Sequence, residues 1–395
     1  MQKIDALREA SGGRVGPRFD ATADLRTTAR PRMTGSEGHA EVTEALRERF
    51  VGLGYQVHEL PFTFSAWPGR FGITGIGVVL AVTGVVAGIL MLSGEPVATL
   101  VVLVLMLAAG AVVVVWGGRA VLDLRWGRRE GANLLVTAFD KRPRYLLVAH
   151  RDSKSQVIPL MLRWPAIVIA AVSWAGLFLL AVAALAAPVN QGLVFLVAIL
   201  VVLAGTVLSL CWADNSSPGA LDNASGVATL IGVAEREVEN GDVAFLLTDA
   251  EELGLAGARA VAGRLPPVFG VINVDGIDDT GTFHIMERFG WPARGTAPHL
   301  ALALLGAANA LDLPATRRNV PPGILLDHMP IVKGGTSALT LMRGQRSSLA
   351  RVHRPGDDLA HLRGDGVTLA VDLLCAALRI LRKQEPEVAP PLGPG

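Results

Sequence analysis

Four charge-free apolar blocks constrain this chain more than any other feature. Residues 71–92 and 97–117 are joined by the short turn Ser93-Gly-Glu-Pro96, and residues 165–187 and 192–213 flank Pro188-Val-Asn-Gln191. Each block is about as long as a helix that crosses the hydrocarbon core of a bilayer. The alternative is four buried core helices, but most helices of a soluble domain keep a polar face and these keep none. They read as two membrane hairpins, four spanning helices in all. They also explain a mean hydropathy of +0.44, which is high for a soluble domain.

The rest of the chain has soluble character. Residues 1–30 are polar with weak helical periodicity, and Met1-Gln-Lys-Ile-Asp-Ala-Leu-Arg8 lacks the apolar core of a signal peptide. Ser36 is placed to cap a helix with Val42, Leu46 and Phe50 on one side. Tyr55-Gln-Val-His-Glu-Leu60 alternates as a strand does. Strands are predicted over 132–138, 145–149, 243–247, 269–274 and 338–342. Helices are predicted over 226–233, 255–262 and 367–381, the last strongly amphipathic. Strands alternating with helices predict an α/β sandwich. Because strands stand on both sides of each hairpin, the hairpins are insertions. One domain is then made of 1–70, 119–164 and 214–385, with 71–118 and 165–213 inserted, and the Pro-rich 386–395 is a disordered tail.

A net charge of +1 excludes the basic excess of a nucleic-acid binder. Two cysteines, Cys211 and Cys375, provide neither a disulfide framework nor a cysteine-type zinc site.

Chemistry concentrates around Thr248-Asp-Ala-Glu-Glu-Leu-Gly254. It follows the apolar run Val243-Ala-Phe-Leu-Leu247, so Glu251 and Glu252 sit at the C-terminal end of a strand, where open α/β sheets bind ligands. Adjacent carboxylates repel one another and are costly to desolvate, and a cation removes that cost. Alone, such a pair is a solvated acidic turn. It is not alone. His150-Arg-Asp152 closes the 145–149 strand, where residues two apart share a face, and a carboxylate beside a metal-bound imidazole fixes its tautomer. Asp222 lies in the glycine-flanked loop Gly219-Ala-Leu-Asp-Asn-Ala-Ser-Gly226, Asp275 closes the 269–274 strand, and His353 lies in Arg351-Val-His-Arg-Pro-Gly-Asp357. Any one of these is an ordinary structural residue. Together, two imidazoles and several carboxylates suit zinc.

These segments, with His150-Arg-Asp152-Ser153, Asp249-Ala-Glu-Glu-Leu-Gly254, Asn273-Val-Asp275 and the opening Arg30-Pro-Arg-Met-Thr-Gly-Ser36, resemble in order the signature blocks of the co-catalytic di-zinc aminopeptidases. That metallopeptidase family also includes glutamate carboxypeptidases and glutaminyl cyclases. The resemblance implies a three-layer α/β/α sandwich with a mixed, mostly parallel sheet, the zinc-exopeptidase fold, and a peptide substrate. It implies two Zn²⁺ per chain: Asp222 bridging, His150 and Asp275 on one ion, Glu252 and His353 on the other. It makes Glu251 the general base and Asp152 the residue that orients His150. Three carboxylates and a hydroxide then balance about four positive charges.

Two departures from the family pattern stand out. The interval from His150 to Asp222 is lengthened by the second hairpin, which predicts a site close to the membrane surface. The oxyanion-stabilising tyrosine that often precedes the last histidine is Val352 here, and the chain's tyrosines, Tyr55 and Tyr145, lie elsewhere. Arg351 or His328 is the candidate substitute. Asp327-His328 resembles a Ser-Asp-His segment that shapes the pocket in relatives, or is a plain loop pair.

The expected function is a membrane-anchored zinc exopeptidase, first an aminopeptidase. The alternatives are a carboxypeptidase, a glutaminyl-cyclase-like enzyme and a catalytically silent membrane module. Spans without charged residues leave no substrate path for a transporter. An even number of spans puts all site residues on one side, and Arg70, Arg119, Arg125, Arg128, Arg129 and Arg163 flank the spans on that side. The positive-inside rule makes it the cytoplasm.

Overall fold

The computed structural model describes residues 19–139, 141–290, 292–321 and 323–384. The 386–395 tail expected to be disordered lies outside them, as does the stretch before residue 19. In chain order the first elements are α1 (Ala21–Thr28), α2 (Glu37–Gly52), β1 (Tyr55–Ser65), α3 (Trp67–Leu92), α4 (Pro96–Asp123), β2 (Arg128–Ala138), β3 (Tyr145–His150), β4 (Ser155–Gln156), α5 (Leu160–Ala184), α6 (Gln191–Ser209) and β5 (Ala213–Asp214). A single wide turn over Ala220–Ala224 leads into α7 (Ser225–Glu237), β6 (Val243–Thr248), α8 (Ala256–Val261), β7 (Gly270–Ile277), β8 (Thr282–Phe289), β9 (Arg294–Gly295) and α9 (Pro298–Ala310). The chain closes with β10 (Ala315–Asn319), α10 (His328–Lys333), β11 (Ala338–Gly344), α11 (Arg346–Leu349) and α12 (Asp365–Gln384).

Two compact units result. One takes the described residues up to Phe62, Glu130–Lys154 and the described residues from Asn215; the other takes Thr63–Arg129 and Ser155–Asp214.

The first unit is built on a nine-stranded sheet ordered β1-β2-β6-β3-β7-β11-β8-β10, with β9 on β8. The centre, β6-β3-β7-β11, is parallel, while β2 and β8 run antiparallel to their neighbours β6 and β11. Alternate residues of the central strands enter two different cores. Tyr145, Leu147, Ala149, Val243, Phe245 and Leu247 pack with residues of α1, α2, α7, α9 and α12. Leu146, Val148, Ala244 and Leu246 pack with Val261 of α8 and Ile331 of α10. A strand buried on both faces needs apolar side chains at every position, which is why these segments read as unbroken apolar runs. The result is the expected three-layer α/β/α sandwich. Ser36 caps α2 as expected, its Oγ accepting from the His39 N–H.

Register explains why ligand-type residues meet. His150 pairs with Thr248 across β3–β6, and Val148 pairs with Asn273 across β3–β7. Three adjacent parallel strands therefore bring His150, the Glu251 turn and Asp275 to one level at one rim of the sheet. β7 continues to Ile277, so Asp275 stands within the strand rather than just past it.

In the second unit α3 and α6 pack through glycine. A Cβ on Gly77 would lie 2.2 Å from the Ser209 nitrogen, and one on Gly205 would lie 2.5 Å from the Ala81 nitrogen. Close backbone approach at small residues is how helices associate where lipid removes the hydrophobic drive. Large apolar side chains face outward, with Val82 57%, Leu105 64%, Val172 67% and Leu179 66% exposed. Among the described residues, three helices are long and apolar enough to cross a membrane, Trp67–Leu92, Met161–Ala184 and Gln191–Ser209. Four were expected; three are found among the described residues. Among the described residues the apolar part of α4 is Pro96–Val112. α5 also begins earlier than expected, at Leu160, with Pro165 inside it.

Candidate metal centre

Two groups of potential ligands share one residue. His150, Asp222 and Asp275 form the first, and Asp222, Glu252 and His353 the second. His150 Nε2 is 3.0 Å from Asp222 Oδ1 and 3.7 Å from Asp275 Oδ1. His353 Nε2 is 3.1 Å from Asp222 Oδ2 and 3.1 Å from Glu252 Oε2. All five residues picked out as ligands in the sequence are thus brought together, with each oxygen of Asp222 turned to a different imidazole.

Surrounding groups hold this geometry. Asp152 is fully buried and accepts from the backbone N–H of Glu251 at 3.1 Å and of Glu252 at 3.2 Å. It lies past the end of β3 rather than on it. The His150 ring turns Nδ1 to the Asp152 carbonyl at 3.2 Å, with Asp152 Oδ1 at 3.5 Å. A carbonyl only accepts, so Nδ1 carries a proton, and Nε2 faces the carboxylates of Asp222 and Asp275. The Asp222 loop is fixed by Asp357, whose carboxylate accepts from the N–H of Leu221 at 2.8 Å and of Asp222 at 3.1 Å. Asn223 donates to the Val274 carbonyl at 2.8 Å and accepts from the N–H of Gly226 and Gly276. The Asp222–Asn223 peptide is cis, and His353 has φ +62°. Arg32, fully buried, donates to the carbonyls of Arg151 at 2.7 Å and Gly219 at 3.0 Å and to that of Pro218, joining the end of β3 to the Asp222 loop.

The charges are strongly perturbed. Burial raises the Glu251 carboxyl, and Glu252, Asp327 and Asp275 raise it further against the opposing pull of His150, so it stands well above the usual range. Burial also raises Glu252, but His353 and Lys154 outweigh it and hold the group at about 2. Asp222 is held well below its usual value because its bonds to His150 and His353 overcome burial. Burial would lower His150, yet the charge of Glu251 and its carboxylate partners Asp152, Asp222 and Asp275 keep it well above its usual value. Without a metal this ring needs a second proton to face two carboxylates. A divalent cation does the same for the neutral ring. Glu252 Oε1 is buried without a hydrogen-bond partner among the described residues. The donor set, all imidazole and carboxylate, therefore fits zinc.

The two oxyanion candidates are placed differently. Arg351 is engaged by Asp278 Oδ2 at 2.6 Å and by the His361 carbonyl. His328 is buried, with Nδ1 2.7 Å from Thr340 Oγ1, while Nε2 has no hydrogen-bond partner among the described residues. Thr340 Oγ1 also accepts from Asn273 at 3.1 Å. Burial pushes His328 down to about 4, which keeps the ring neutral. Its neighbour Asp327 accepts from Thr248, and burial drives it up to about 7. Sequence reasoning missed Lys154, whose Nζ lies 2.8 Å from Glu252 Oε2. Only its place two residues beyond Asp152 could have signalled it.

An α/β sandwich that gathers imidazoles and carboxylates at the C-terminal rim of its parallel strands belongs to the hydrolytic metalloenzymes in architecture. The model of peptidase family M28 matches residues 135–378, more than half of the chain, and the chain belongs to that family. It is therefore a metallopeptidase, a hydrolase acting on peptide bonds. No curated protein sequence matches it. Among solved structures, it resembles the Legionella pneumophila aminopeptidase LapA, 13% identical over 96% of this chain and 74% of that one, with a TM-score of 0.53. It also resembles the glutaminyl cyclase of Fimbriiglobus ruber, 14% identical over 93% and 97% of the two chains, with a TM-score of 0.54. An aminopeptidase from Aneurinibacillus sp. strain AM-1 is 13% identical over 91% and 93%, with a TM-score of 0.51. At such identities the likeness is one of fold.

Proposed function

We propose that this chain is a membrane-anchored, zinc-dependent aminopeptidase acting on short peptides, with two zinc ions per chain. The observation that carries the reading is Asp222, whose Oδ1 and Oδ2 lie 3.0 and 3.1 Å from the Nε2 atoms of two different histidines. His150 and Asp275 would hold one ion, Glu252 and His353 the other, and Asp222 both. Bound there, zinc supplies Lewis acidity, which activates water at neutral pH and polarises a scissile carbonyl.

The chain's own residues do the rest. Glu251 takes the proton of the attacking water and hands it to the leaving amine. A buried carboxyl raised well above its usual range suits a group that must hold a proton between two steps. Asp152 orients His150 and the Glu251–Glu252 turn. Of the two oxyanion candidates, the Nε2 of His328, without a hydrogen-bond partner among the described residues, favours it over Arg351, which Asp278 already engages.

The apolar helices anchor the enzyme. We read 71–118 and 165–213 as insertions into one peptidase domain formed by 1–70, 119–164 and 214–385. The strands flanking the insertions belong to one sheet, which keeps the site residues on a single side of the bilayer. Arg70, Arg119, Arg125, Arg128, Arg129 and Arg163 favour the cytoplasm for that side. Digestion of the soluble domain by protease added to intact cells would reverse this orientation.

The decisive experiment joins metal analysis with Glu251→Gln. The variant is expected to retain zinc and lose hydrolysis of aminoacyl substrates, whereas full activity removes Glu251 as the base. On a panel of free and N-blocked peptides, cleavage of blocked peptides alone makes the enzyme a carboxypeptidase. Cyclisation of N-terminal glutamine with one zinc per chain makes it a glutaminyl cyclase.

A further inference from the structure

The two candidate metal positions differ in one respect. The Lys154 ammonium touches only one of them. Its Nζ lies 2.8 Å from Glu252 Oε2 and 3.1 Å from the Glu252 backbone carbonyl, and only 14% of the side chain is exposed. The position of His150, Asp222 and Asp275 has no such neighbour among the described ion pairs.

Building on the two-metal reading above, we propose that Lys154 makes the positions unequal. The position of His150, Asp222 and Asp275 is the tight one, and that of Asp222, Glu252 and His353 is the weak, exchangeable one. The charges explain the difference. The first position has the full charge of Asp275 and a share of Asp222. The second has that of Glu252 and an equal share of Asp222, but the ammonium cancels one unit. A divalent cation arriving there meets a carboxylate already neutralised on one oxygen, next to a like charge in a poorly solvated site. The lysine cannot swing aside cheaply, because two hydrogen bonds to the same residue hold it. Glu252 Oε1 is still available, buried and without a hydrogen-bond partner among the described residues, so the position is weakened rather than abolished. Groups that hydrogen-bond a metal ligand typically tune affinity by about ten- to a hundredfold.

The test is a zinc titration of the metal-free, full-length protein in detergent, read by competition with a chromophoric chelator. The wild type is expected to show two sites whose dissociation constants differ by at least about tenfold. Lys154→Met, which removes the charge and keeps the stem, should tighten the weaker site by about ten- to a hundredfold and leave the tighter one within about threefold. Lys154→Arg, which keeps the charge, should keep the gap, and Lys154→Gln serves in place of the methionine variant should that one fail to fold. His353→Ala should remove the weaker site alone. Two equal sites in the wild type, or a gap that Lys154→Met leaves unchanged or widens, overturns the proposal while leaving two metals in place. Failure of the two-metal reading looks different: wild type and Lys154→Met then both take up one zinc or none.

Discussion

Replacing Asp152 by alanine tests how the centre is held together. The carboxylate is fully buried and accepts from two successive backbone N–H groups, at 3.1 and 3.2 Å. A hydrogen bond to a charged group contributes about 1.5–3 kcal/mol, and a buried N–H left without an acceptor costs about 1–3 kcal/mol. Taking the low end for both bonds, because the truncated side chain leaves room for water, Asp152→Ala should destabilise the metal-free protein by about 3–4 kcal/mol. Asp152→Asn keeps one acceptor oxygen but turns an amide N–H towards a backbone N–H, so about 2 kcal/mol is expected. His150 also loses the carboxylate near its Nδ1, and zinc affinity should fall by about ten- to a hundredfold in either variant. Urea unfolding of the metal-free protein and chelator competition measure the two effects separately. An alanine variant within about 0.5 kcal/mol of wild type, with zinc affinity within about twofold, would refute the role given to Asp152.

Other outcomes follow from the same geometry. Asp327 has its folded pKa raised from 3.8 to about 7 by burial, so the folded state binds the extra proton between those values. Its contribution is fully present below pH 3.8 and is lost as pH rises through 7; Asp327→Asn should therefore flatten this part of the pH dependence of metal-free stability, and an unchanged slope would count against it. Gly226→Ala should cost at least about 2 kcal/mol in urea unfolding, because its Cβ would come within 2.2 Å of Asn223 Oδ1 and 2.5 Å of the Val274 carbonyl oxygen; a neutral effect would mean that the Asn223 cradle yields easily. Chelation should lower the thermal midpoint and zinc should restore it, by about 2.7 kcal/mol per site at a hundredfold excess over Kd; an unchanged midpoint would separate the metal from stability.

The ligands were legible because each ends an apolar run or sits in a glycine-flanked loop, and chemistry of one type recurs at those places. The central strands were legible for the same reason that they are central: burial on both faces removes polar residues from them. The outer elements were not. β10 is Ala-Thr-Arg-Arg-Asn, a polar edge strand with no apolar face to read, and α9 is dominated by alanine and leucine, without a periodic polar side. Nor does spacing show that Asp357 grips the N–H groups of Leu221 and Asp222 from 136 and 135 residues away, or that Lys154 turns to Glu252. Such contacts depend on how loops from distant parts of the chain cross the rim.

Strand order also bears on biosynthesis. The neighbours of β3 in the sheet are β6 and β7, and the internal partner of β2 beyond β1 is β6. Both α5 and α6 lie between β3 and β6 in the chain. On a translating ribosome, β3 therefore emerges with no mate and stays unmatched until some ninety further residues have been made, while two greasy helices leave the tunnel ahead of its first partner. The hydrolytic half of this protein can close only after those helices have been synthesised, so any delay in their delivery would leave an open sheet edge exposed to chaperones and proteases.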